Sequence, residues 1–297
     1  MNRLPFFIIL LSFFACSNVE KTMNIATYNI RYDNRGDSVA GNGWLQRCSV
    51  IAGQILFHDF DIFGTQEGLH HQLEDLKRML PGYDYFGVGR DDGQQAGEYA
   101  AVFYKTSKFE VLSNGDFWMS TITDRPNRGW DAALPRICTW GEFREINTGF
   151  RFMCFNLHMD HRGVEARRES CKLILEKIRE MDDGTPVILM GDFNVDQNNE
   201  SYVLLNTSGI LRDAYDLSPI RYANNGTFNS FNVNVKTDSR IDHIFLTSHF
   251  SVSRYGILTD IYWIPDTETE NVPPNRRFSP RYPSDHFPVM IQIHWTR

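Results

Sequence analysis

Six short stretches place acids, amides and imidazoles at the edges of apolar runs. "ATYNIR" carries Asn29 and "FGTQEG" carries Glu67. "FNLHMDHRG" carries Asn156, His158, Asp160 and His161, and "VILMGDFN" carries Asp192 and Asn194. "SRIDHIF" carries Asp242, and "YPSDHFPV" carries Asp285 and His286. A single Asp at such an edge ordinarily caps or turns the chain. A set is different, because carboxylates gathered on one rim repel and raise one another's pKa unless a cation sits among them. The oxygen donors Glu67, Asp192, Asp285, Asn29 and Asn194 suit Mg²⁺ or Mn²⁺ rather than zinc, and magnesium keeps most of its waters, so one or two carboxylates suffice. A histidine beside such an ion, steadied by a carboxylate, can stabilise or protonate a phosphoryl oxygen or act as a base. Asp242 is placed to hold His286, and Glu98 to hold His158.

Strands and helices must bring these residues together. Strand-like segments span 24–30, 61–67, 99–105, 151–159, 187–194, 240–246 and 288–295, some alternating and others continuously apolar. Alternation along a strand puts Asp192 and Asn194 on one face. Helical spacing is clear for Cys48, Ile51, Ala52 and Ile55, for Cys171, Ile174, Leu175 and Ile178, and for Leu69, Leu73, Leu76 and Leu80. Strands and helices mix without a strict βαβ rhythm. That predicts an α/β sandwich of two packed, mostly antiparallel sheets with helices outside, rather than a doubly wound sheet. The polar, Pro-rich stretch 264–284 reads as a long functional loop.

The 297 residues carry 30 Lys+Arg against 37 Asp+Glu, and this acidic balance argues against a general nucleic-acid binder. Residues 1–15 read as a signal peptide ending in the lipobox-like "FFAC", with Cys16 lipidated and 16–22 a tether. The expected product is an exported, periplasmic or cell-envelope lipoprotein, monomeric, with one domain over 23–297. Cys48, Cys138, Cys154 and Cys171 show no metal-ligand spacing and read as buried thiols, although export would allow a Cys138–Cys154 bridge.

Taken in order, "TYNIR", "TQE", "NLHMDHRG", "GDFN", "SRIDHIF" and "SDHFPV" resemble the endonuclease/exonuclease/phosphatase superfamily over nearly all of 23–297. That group is similar to pancreatic-type DNase, AP endonucleases, sphingomyelinases, inositol-polyphosphate 5-phosphatases and deadenylases. The resemblance implies a four-layer α/β/β/α sandwich and divalent-metal phosphoester hydrolysis by in-line water attack. It implies Glu67 as main metal ligand, Asn29 in support, and Asp285 beside the metal. It gives Asp192 to the attacking water, Asn194 to the phosphate, Asp242–His286 as a pair, and His158 as second histidine with Glu98 behind it. Arg136 falls where the DNase branch contacts phosphate, and His161, Arg162 and Arg281 are further candidates for supporting or phosphate-binding roles. The stretch "QQAG" before Glu98 lacks the tyrosine common in nuclease branches, and Tyr99 alternates to the other face. A small ester, sugar phosphate or lipid headgroup is therefore the favoured substrate. A nuclease is the rival enzyme, and a non-catalytic binding module the rival of another class.

Overall fold

The computed structural model describes residues 21–181, 184–265 and 278–295. The predicted leader, Cys16 and all but the end of the tether lie outside them, as does 266–277 in the middle of the predicted loop. In chain order the elements are β1 (Thr22–Asn29), α1 (Arg35–Val39), α2 (Trp44–Phe57), β2 (Ile62–Gln66), α3 (His70–Met79), β3 (Tyr83–Phe86) and β4 (Val102–Lys105). There follow β5 (Phe109–Trp118), β6 (Ile137–Glu145), β7 (Arg151–His158), α4 (Val164–Glu180), β8 (Val187–Asp192), α5 (Glu200–Asn206), β9 (Arg212–Asp213) and α6 (Ala214–Leu217). The chain continues with β10 (Arg221–Tyr222), β11 (Asp242–Leu246), β12 (Phe250–Ile257), β13 (Tyr262–Pro265), β14 (Phe278–Arg281) and β15 (Val289–Trp295).

Two mixed sheets form the body. One has the order β10-β12-β15-β1-β2-β4-β3 and the other β5-β6-β7-β8-β11-β9. Only β1/β2, β10/β12 and β7/β8 run parallel within them. Strand alternation sorts the side chains. Ile188 and Met190 of β8, Ile244 and Leu246 of β11, Phe152 and Cys154 of β7, and Met23 and Ile25 of β1 meet in the core between the sheets. The other parity faces outward. Val187, Leu189, Phe155 and Phe245 pack under Cys171, Ile174, Leu175 and Ile178 of α4. Phe63, Phe103, Ala26 and Tyr28 pack under Trp44, Cys48, Ile51 and Ile55 of α2 and Leu73 and Leu76 of α3. The result is the predicted four-layer sandwich, with all three predicted helices in place.

Several boundaries differ from expectation. The segment predicted at 99–105 pairs only from Val102, and the strand predicted at 187–194 ends at Asp192. Thr22 belongs to β1 rather than to a tether. The β5/β6 hairpin escapes a reading by alternation because β5 is half exposed and slips register between Val111 and Ser113. The flanks of the predicted 264–284 loop are instead the β13/β14 hairpin. All four described cysteines are buried free thiols. Cys138 packs on the helix side of its sheet and Cys154 in the inter-sheet core, so the bridge does not form. Among the described residues no helix is long and apolar enough to cross a membrane.

Candidate active site

The inward rows of the strands turn polar at one end. Along β8 the row runs Ile188, Met190, Asp192. Along β11 it runs Leu246, Ile244, Asp242, and Asp242 lies directly opposite Asp192. Along β7 it runs Phe152, Cys154, Asn156, His158, with His158 opposite Asp192 on the parallel side. Along β1 it ends in Asn29. The same packing that builds the inter-sheet core therefore carries its last members into a cavity of about 650 Å³ lined by Arg31, Glu67, Glu98, Arg136, His158, Asp192, Asn194, Asp285 and His286, among others. Just behind it, Asn156 donates to the carbonyls of Thr65 and Ala101 and accepts from Gln66, so its own amide is fully engaged.

Pleat alone does not aim every group. Glu67 has the outward parity of Phe63 and Thr65, yet its φ of +64° turns it into the cavity. Arg31, Asn194 and Ser230, which also line the cavity, have φ of +58°, +52° and +54°. Such backbone is costly for side chains with a Cβ and here gathers at one site. Asn194 thus shares the Asp192 side through a left-handed turn after β8, not through continued strand as expected. Gly191 makes the approach possible: a Cβ there would lie 2.2 Å from the Leu157 carbonyl oxygen.

Asp192 is the centre. Its Oδ2 accepts from Asn29 Nδ2 at 3.0 Å and its Oδ1 from the Asn194 backbone N–H at 2.9 Å. His158 Nε2 stands 3.6 Å and His286 Nε2 3.8 Å from that Oδ2. His286 Nδ1 meets Asp242 Oδ2 at 2.9 Å. Burial opposes a charge on His286, yet the carboxylates of Asp242 and Asp192 hold its pKa well above the ordinary value. His158 lies on the opposite side of Asp192 and is the electrostatic counterpart. Burial, then the nearby Arg136 and Arg90, push its pKa well below normal and keep the ring neutral. Burial and the Asp242 charge raise Asp192 to about 7, against the pull of His286 and Asn29.

The site collects most of the expected residues and corrects the roles of several. Asn29 does not offer its oxygen outward: its Nδ2 donates to Glu67 and Asp192 at 3.0 Å each, while Oδ1 accepts from the Arg31 N–H. It tethers the Glu67 and Asp192 carboxylates to each other. Glu98 lines the cavity but lies 3.7 Å from His158 Nδ1, beyond a hydrogen bond, because a fork of Arg90 takes both its oxygens at 2.6 and 2.8 Å. Arg136 donates to Asp160 Oδ2 at 3.2 Å and to His161 Nδ1 at 2.8 Å, and its buried Nη1 has no protein partner among the described residues. Arg162 is exposed outside the cavity. Among the described residues the Arg281 side chain hydrogen-bonds Ala40 and Asn42, at 3.4 Å, and it does not line the cavity.

Four contributors are absent from the residues that the sequence singles out. Arg31 Nη1 lies 3.5 Å from Asp285 and 3.8 Å from Glu67. Arg90 neutralises Glu98. Arg47, fully buried on α2, donates to the carbonyls of Asn42, Ile30, Pro283 and Arg31 and so staples the ends that carry Arg31 and Asp285. Phe228 stacks edge-on against His286, with ring centroids 5.0 Å apart. Arg31 had a signal, its place in "TYNIR" two residues after Asn29. The others depend on contacts distant in sequence.

A divalent cation fits the donors present. One ligand atom each from Glu67, His158 and Asp192 lies within 4.8 Å of the others. Asp285 is raised to about 6 by burial, with the Glu67 charge adding to the rise. Crowded carboxyl oxygens whose charge is disfavoured are the chemistry that a hard cation relieves.

The sequence model of the Endonuclease/Exonuclease/phosphatase family matches residues 26–286. A Bacteroides thetaiotaomicron protein of that family is 52% identical, with a TM-score of 0.88 over 93% of this chain and 98% of its own. The B. thetaiotaomicron VPI-5482 mannosyl-6-phosphatase is also 52% identical, with a TM-score of 0.87 over 92% of this chain and all of its own. Rat Nocturnin is 24% identical over 94% of this chain and 67% of its own length. The mimivirus protein L388 is 32% identical over 52% of this chain, and the chain spans 60% of that relative's length. With the fold, the buried Asp192–Asp242–His286 geometry and the match over 26–286 in agreement, this chain belongs to the endonuclease/exonuclease/phosphatase family of phosphoester hydrolases.

Proposed function

We propose that the protein is a Mg²⁺-dependent phosphatase that cleaves phosphate from a small polyhydroxy alcohol such as a hexose phosphate. The carrying observation is Asp192 fixed by two hydrogen bonds between a cationic His286 and a neutral His158. A divalent ion held by Glu67 with neighbouring acids would supply charge neutralisation at the phosphoryl oxygens. The chain supplies the rest. Asp192, fixed by Asn29 and the Asn194 N–H and flanked by both histidines, is placed to accept the proton of an attacking water. His286, charged and oriented by Asp242, faces the same space and offsets negative charge as it develops. His158 presents a neutral ring, and the Arg136 guanidinium lines the same cavity and adds a positive charge there.

The sugar phosphate is favoured by the acidic composition and by the name of the 52%-identical mannosyl-6-phosphatase. The test is phosphate release from hexose 6-phosphates and phenyl phosphate across a Mg²⁺ titration, in wild type, Glu67→Gln and His286→Ala. Each variant is expected to lose about 100-fold or more in rate. Full activity in both would overturn the reading. The leader supports placing this activity outside the cytoplasm on a lipid anchored at Cys16. Radiolabelled fatty acid is then expected on the wild-type chain and not on Cys16→Ser.

A further inference from the structure

The cavity has two zones. Its floor is buried and charged: Asp192, His158, His286, Asp285 and Arg136 are nearly inaccessible. Its rim is exposed and mixed, with Leu134 and Phe228 apolar and His161 and Ser230 polar. Phosphate chemistry is confined to the floor. The alcohol that leaves must therefore contact the rim.

His161 stands out there because its tautomer is fixed. A guanidinium only donates hydrogen bonds, so the Arg136 Nη2 contact at 2.8 Å requires a lone pair on His161 Nδ1. Partial burial and the Arg136 charge lower the pKa of His161 and keep the ring neutral. A neutral ring with a lone pair on Nδ1 carries its proton on Nε2. Arg136 is itself locked by Asp160, which also accepts from the backbone N–H of Arg162 and Gly163. The Nε2–H is thus an oriented, uncharged donor at the mouth, on a support chain rooted in buried groups.

We propose that His161 is a specificity-determining residue whose Nε2–H donates to a hydroxyl of the alcohol part of the substrate. A neutral donor next to a free cationic one is poorly used on the phosphate, which Arg136 and His286 already serve. A rim that offers both apolar side chains, Leu134 and Phe228, and donors, His161 and Ser230, suits a ring that presents C–H faces and hydroxyls, as a pyranose does. This rests on the phosphatase reading above and names the residue that would choose the alcohol.

The test compares kcat/KM for a hexose 6-phosphate with that for phenyl phosphate, which lacks hydroxyls, in wild type and His161→Asn. Asn keeps an acceptor near the Nδ1 position for Arg136 and removes the distal donor. The preference for the hexose phosphate is expected to fall about 10-fold, the scale of one neutral hydrogen bond, mainly through KM. Nitrogen-15 NMR of the wild-type ring is expected to show Nε2 protonated and Nδ1 bare. An unchanged preference, or the Nδ1–H tautomer, would overturn the proposal. If wild type cleaved neither ester with Mg²⁺, the phosphatase reading itself would fall, and the NMR result would still report on the tautomer.

Discussion

At the scale of single residues, two histidines flank one aspartate and are driven to opposite charge states. The difference lies in what stands behind each ring. Asp242 is within hydrogen-bond reach of His286 Nδ1, whereas Glu98, the corresponding acid near His158, is claimed by Arg90. Asp242 and His286 should therefore act as one unit. His286→Ala and Asp242→Ala are each expected to lower kcat strongly, and the double variant to lose little more than His286→Ala alone. Additive losses in a double-mutant cycle would show that Asp242 serves another purpose. Arg136→Lys is expected to raise KM more than Arg151→Lys, an exposed pair with Glu142, because Arg136 lines the cavity and Arg151 does not.

At the scale of elements, strand ends and the turns after them aim the chemistry. Gly191 sits where β8 runs closest to β7, and Gly191→Ala forces a Cβ against the Leu157 carbonyl. The expected cost is about 2 kcal/mol or more in urea unfolding, with lost activity in the fraction that folds. Behind the other sheet, Arg47 of α2 donates to four carbonyls, of which that of Arg31 also accepts from Gln72. Arg47→Met preserves bulk but strands those acceptors. A loss of about 3 kcal/mol is expected, with a drop in kcat as Arg31 and Asp285 shift. A variant as stable and active as wild type would show that the staple is dispensable.

At the scale of the molecule, charge and burial set the response to pH and salt. Asp116 on β5 is raised to about 6 by burial, against a hydrogen bond from Thr139. Its folded pKa lies above its unfolded one, so the native state binds the proton more tightly. The penalty is absent below about pH 4, grows as pH rises to about 6, and is complete above that. Asp116→Asn should match wild type in Tm near pH 4 and exceed it by several degrees at pH 7.5, for about 2 kcal/mol of relief. A Tm difference independent of pH would refute this assignment. The formal net charge of −7 bears on substrate size. For a small ester, kcat/KM should change little between 50 and 200 mM salt, whereas a protein gripping a nucleic-acid backbone loses about 10³-fold or more in affinity over that range.

The sequence by itself determined the layers and the acids, amides and histidines that the strand ends carry into the cavity. Period-two rows such as Ile188, Met190, Asp192 are readable as letters, because a strand's pleat ties parity to face. The helical stripes of α2 and α4 are readable for the same kind of reason. Tertiary structure alone decided the aim and the charge of the groups. Glu67 has the wrong parity for the cavity and reaches it through a left-handed backbone. Asn29 turns its amide N–H groups onto two carboxylates, Glu67 and Asp192, that come from distant segments. Arg47 looks like an ordinary surface cation in sequence, and becomes buried because its partners include carbonyls as far away as Pro283. Local spacing encodes which way a side chain leaves its own element. What it meets there is a property of all the other elements at once.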